Sequence, residues 1–100
     1  MTRAVYVAAR EAGSNKGVVA LGMVEALSRK VGKVGVFRPV VRAGRPDGLI
    51  TTVLARFGID LPYEMCAGVT YDDVHSDTDR ALGEIVDRYR RLAARCDAVV

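Results

Sequence analysis

Ala4-Val5-Tyr6-Val7-Ala8-Ala9, then the polar loop Arg10-Glu11-Ala12-Gly13-Ser14-Asn15-Lys16, then a longer stretch closing on Val34-Gly35-Val36-Phe37, decide the fold of this sequence. The first six residues are small, β-branched or aromatic without polar alternation, the pattern of a parallel strand covered on both faces. Beyond the loop, Ala20, Val24, Leu27 and Val31 recur at spacings of four, three and four, with Glu25, Arg29 and Lys30 elsewhere on the wheel. That is the period of an amphipathic helix. Gly32 follows the last periodic residue, where a left-handed glycine commonly ends a helix, so Val34 to Phe37 reads as a second buried strand. Strand, helix and strand within about 35 residues make a βαβ unit with a right-handed crossover. The expected class is α/β, a parallel sheet with flanking helices.

Pro39 has no N–H for a ladder and is expected to end the second strand, leaving Arg38 at the carboxyl edge of the sheet. Asp47 fits the N-cap of a helix from Gly48 to Phe57 that turns Leu49, Val53, Leu54 and Phe57 inward and stops at Gly58. Ile59 to Thr70, around Pro62 and Gly68, reads as a loop with room for one helical turn. Leu82, Ile85, Val86, Tyr89, Leu92 and Ala93 then mark a stronger helix starting near Asp77 or Thr78, its other flank carrying Asp79, Arg80, Glu84, Asp87, Arg88, Arg91 and Arg95. Asp97 to Val100 reads as the opening of a third buried strand. A parallel α/β domain needs several strands to cover both helix layers, so the expectation is one truncated domain over residues 1–100, with the first and third strands central. Apolar faces left uncovered in such a piece would favour marginal folding or self-association.

Composition excludes several function classes. The 100 residues are 50% apolar and 27% charged, with a net charge of +3. The two signs are interleaved, so no basic stripe points to nucleic acid or an anionic membrane surface. No uninterrupted apolar run approaches the roughly twenty residues of a membrane span, and Arg3 with its short apolar sequel lacks the h-region of a secretory signal. Cys66 and Cys96 stand far apart with no CxxC or His-rich company. Reduced thiols in a cytoplasmic protein are expected, with no metal site and no cofactor.

The chemistry-bearing segment is the loop after the first strand, because unpaired amides and the helix dipole converge between a strand and the helix that follows it. A complete phosphate loop places glycine six residues before the lysine, glycine directly before it, and serine or threonine directly after it. Arg10, Asn15 and Gly17 occupy those positions, so only Lys16 matches. Asn15 tolerates left-handed backbone and keeps the loop path open. Gly17 is graver, since it offers no hydroxyl to the Mg²⁺ that neutralises a triphosphate. Gly13, Ser14, Asn15, Lys16 and Gly17 are therefore a candidate degenerate phosphate-binding loop, with a polar structural turn as the competing interpretation. Arg38 is a candidate ligand contact, since open α/β sheets bind ligands outside the carboxyl ends of their strands. An arginine before proline is also a common solvated exit residue. No catalytic residue emerges: His75 lacks a partner, Asp72 and Asp73 suit capping, and Cys66 and Cys96 read as small buried hydrophobes.

Val5-Tyr6-Val7-Ala8, the loop ending Ser14-Asn15-Lys16, Val19-Ala20-Leu21-Gly22, and Val31-Gly32-Lys33-Val34-Gly35-Val36-Phe37-Arg38-Pro39-Val40 together resemble the start of the long bacterial form of phosphate acetyltransferase. Gly68-Val69-Thr70-Tyr71-Asp72-Asp73-Val74-His75 and Arg95-Cys96-Asp97-Ala98-Val99-Val100 fit the same family, so the resemblance covers nearly the whole chain. It implies the N-terminal part of a P-loop NTPase-like, dethiobiotin synthetase-like domain, with the acetyltransferase domain absent from this sequence. The implied parent enzyme interconverts acetyl-CoA and phosphate with acetyl phosphate and CoA in cytoplasmic acetate metabolism and forms a homo-oligomer. No catalytic residue carries over. Lys16 matches the phosphate-loop lysine, and Arg38 stands where dethiobiotin synthetase has a lysine before proline. A regulatory or structural role is implied for this region. The alternatives are an ATP-dependent enzyme of the dethiobiotin synthetase kind and a stand-alone, non-enzymatic interaction module.

Overall fold

Two small parallel sheets and five helices make up the computed structural model, which describes residues 3–7 and 16–100, Lys16 by its backbone alone. The first sheet joins β1 (Arg3–Ala4), β2 (Val34–Gly35) and β5 (Ala98–Val99) in the order β1-β5-β2. Arg3 and Val34 both lie opposite Ala98, while Ala4 and Gly35 lie opposite Val99. Between β1 and β2 runs α1 (Lys16–Ser28), so the strand–helix–strand unit read from the sequence is present and its strands are parallel to β5.

The position of β1 corrects an expectation. The third strand of the sequence, β5, is central, but β1 lies at the edge of the described sheet. Its surface matches that position: Arg3, Ala4 and Tyr6 are exposed, with Tyr6 at 82%, while Val5 and Val7 are only half-buried. β5 carries the double-sided burial instead, as Ala98 and Val99 are almost wholly covered. Ala8 and Ala9, expected in the first strand, lie outside the described residues.

A second correction concerns the stretches read as a strand exit and a loop. β3 (Arg38–Val41) pairs in parallel with β4 (Ala67–Thr70) to form the second sheet. β2 ends at Gly35, before Pro39, and Pro39 lies within β3. In a two-stranded sheet every strand is an edge, where proline's missing N–H is tolerated. The helical turn allowed before β4 exists as α3 (Tyr63–Cys66). After β4, α4 (Tyr71–Ser76) starts on a capping box: Asp73 N–H donates to the Thr70 hydroxyl, and Thr70 N–H donates to the Asp73 carboxylate. Those Thr70 bonds, the backbone one first, hold the Asp73 carboxyl below its ordinary value. His75 completes this local structure, its Nδ1 lying 2.7 Å from the Tyr71 carbonyl oxygen.

The longer helices follow their sequence signals closely. Asp47 caps α2 (Gly48–Arg56), its Oδ1 accepting the Leu49 and Ile50 N–H groups. Gly58, with φ of 59°, ends that helix in the left-handed region glycine favours. Asp77 caps α5 (Thr78–Ala93) by accepting the Arg80 N–H. Gly32 is different, since the described positive-φ residues are Gly44 and Gly58. What Gly32 supplies is room: an added Cβ would lie 3.0 Å from Asp97 Oδ2, the carboxylate oxygen that accepts the Lys33 N–H.

The core lies where α1, α2 and α5 meet the sheets, with Val24, Ile50, Val53, Cys66 and Leu92 fully buried. Not all of the α5 stripe reaches it. Leu92 is buried, but Leu82 and Val86 are 55% and 44% exposed, and Ala81 occupies the inward position near the helix start. Tyr71 and Tyr6 add to this uncovered apolar surface. Among the described residues no helix is long and apolar enough to cross a membrane.

Candidate functional site

The candidate loop enters the structure only at its end. Gly13, Ser14 and Asn15 lie outside the described residues, and so does the side chain of Lys16. The Lys16 backbone opens α1, and Gly17 sits half-buried in the first turn, where an added Cβ would lie 3.9 Å from Leu49 Cδ1. Leu49 belongs to the first turn of α2, so the start of α1 lies beside the start of α2.

Arg38 is built into a polar junction. It opens β3, and its Nη1 donates to Asp47 Oδ2 at 2.8 Å, with the arginine side chain 33% and the aspartate side chain 11% exposed. Asp47 thus holds the guanidinium with one oxygen and the N-terminus of α2 with the other. Its own N–H donates to the Tyr63 hydroxyl at 2.7 Å, which ties α3 into the same junction. Charge-assisted hydrogen bonds of this kind are stronger than neutral ones and fix the direction of the arginine fork. Replacing Asp47 with alanine removes a cap and leaves Arg38 partly buried without its counter-charge. A loss of about 2 kcal/mol is expected, at the upper end of single-cap effects, and urea unfolding measures it.

Arg38 also borders a cavity of about 590 Å³. Val5, Val7 and Val99 from the carboxyl ends of the first sheet, Phe37 from the segment after β2, Pro39 from β3, and Tyr89 and Arg90 from α5 contribute to its lining. Phe37 and Tyr89 form an edge-to-face pair with centroids 5.8 Å apart at 71°. The volume is in the range of small-molecule sites, and the place is the crevice beyond the carboxyl ends of parallel strands. Among its described lining residues the charged ones are Arg38 and Arg90. Arg90 went unremarked in the sequence, although it follows Val86 by four residues and so borders the same helix face.

The remaining candidates separate into structural parts. Cys66 and Cys96 are buried in the core, as small hydrophobes would be. Burial, followed by the nearby Cys96, pushes the Cys66 thiol up from 9.0 to about 11, and burial also raises Cys96. A thiol held protonated in the fold contributes stability that is complete below pH 9 and lost as pH rises toward 11, because the unfolded chain gives up that proton first. Unfolding free energies measured across this interval should therefore fall more steeply for the native chain than for Cys66→Ala. Among the described residues no group of three or more His, Cys, Asp or Glu side chains could hold a metal ion.

Comparison with known proteins places these features in a family context. The family described as an AAA domain matches residues 3–100. A phosphate acetyltransferase of Synechocystis sp. is 30% identical over 108 residues, an alignment covering 100% of this chain and 16% of the relative. A phosphate acetyltransferase of Nitratidesulfovibrio vulgaris is 31% identical over 108 residues, again covering 100% of this chain, and 15% of the relative. The chain therefore spans a small part of the length of these curated relatives. No solved structure matches it.

Proposed function

Because this chain belongs to the AAA domain family, in its phosphate-loop, dethiobiotin synthetase-like form, we propose that it is the N-terminal, regulatory or structural part of a phosphate acetyltransferase. The observation that carries this reading is that two relatives of that name align over the whole of this chain yet extend far beyond it. The parent enzyme would interconvert acetyl-CoA and phosphate with acetyl phosphate and CoA in the cytoplasm, as a homo-oligomer. We assign none of that catalysis to residues 1–100 and place it in the part of the relatives that lies outside the aligned stretch.

Within the domain, Gly13, Ser14, Asn15, Lys16 and Gly17 form a degenerate phosphate-binding loop. Its support is local. α1 opens at Lys16, so amide N–H groups and the positive end of the helix dipole follow directly from the loop. Gly17 offers no hydroxyl to Mg²⁺, which argues against ATP chemistry. Arg38, held by Asp47 and lining the cavity, is the proposed ligand contact.

The test compares three proteins. A phosphate acetyltransferase carrying this domain should form acetyl phosphate, its variant lacking residues 1–100 should keep the chemistry while changing in assembly or effector response, and the 100-residue chain alone should form none. Acetyl phosphate made by the isolated chain would overturn the assignment, as would deletion that changes neither assembly nor response. In the same series, calorimetry with Mg-ATP should show weak binding at most. Micromolar affinity abolished by Lys16→Ala would instead establish a working nucleotide site.

A further inference from the structure

We draw no further inference here: the strongest candidate, the exposed apolar surface of Tyr6, Tyr71 and Val86 lining the cavity between β1 and α5, belongs to the site already described, and nothing in the structure shows what covers it.

Discussion

Gly68→Ala is expected to cost about 3 kcal/mol or more, the high end of what overpacking does, and so a large share of the 5–15 kcal/mol by which domains are ordinarily stable. Gly68 lies in β4, and a Cβ there would overlap the Pro39 carbonyl oxygen while standing 2.7 Å from the carbonyl carbon and 2.9 Å from Cα. All three are backbone atoms, so no side-chain rotation relieves the clash. β3 and β4 would have to separate, breaking a register that pairs Arg38, Val40 and Val41 with Ala67, Val69 and Thr70. The Gly68 carbonyl also accepts a 2.9 Å bond from Arg88 Nη1, so displacing β4 disturbs its attachment to α5. Chemical denaturation measures the effect. Gly83→Ala is the comparator, because a Cβ at that α5 position meets nothing within 4 Å. It should raise stability by up to about 1 kcal/mol through helix propensity alone. Equal and small effects at the two sites would mean that β3 and β4 do not approach as described.

Leu92→Ala should destabilise by about 2–5 kcal/mol, the range for removing a fully buried leucine. Leu92 has no exposed surface, and its Cδ1 and Cγ lie 3.4 and 3.6 Å from the place a Cβ would take on Gly35. It therefore fills the contact between α5 and the bare backbone of β2. A cavity there would be bounded by strand backbone that cannot easily collapse into it, which favours the upper half of the range. Leu82→Ala, on the same helix but 55% exposed, should cost far less. Thermal unfolding of the two variants gives the ratio, and near-equal losses would contradict the inward direction of Leu92.

The contrast between these leucines shows what periodicity conveys. The spacing of Leu82, Ile85, Val86, Tyr89 and Leu92 identifies an amphipathic helix, and Asp77 marks its start, because both signals lie within the segment itself. Which part of the stripe is covered depends on what packs against it, and here Leu82 and Val86 remain exposed. α2 repeats the lesson: Asp47 and Gly58 bound it as read, but Ile50, absent from the inward set drawn from the sequence, is fully buried. Lys16 was legible through its place after a strand, and Arg38 through its place before Pro39. The Asp47 and Tyr63 contacts were not, since they join residues nine and sixteen positions apart across three elements.

Local patterns alone thus determined the parallel strand–helix–strand unit and the N-caps of α2 and α5, because each depends on neighbours a few residues away. Tertiary structure alone decided that β1 is an edge, that Arg38 is held by Asp47, and that two stretches containing Pro39 and Gly68 are strands. Proline and glycine each weaken a strand judged singly. Brought together they are complementary, since the glycine leaves the space into which the proline's carbonyl fits, and that fit exists only after distant segments have met.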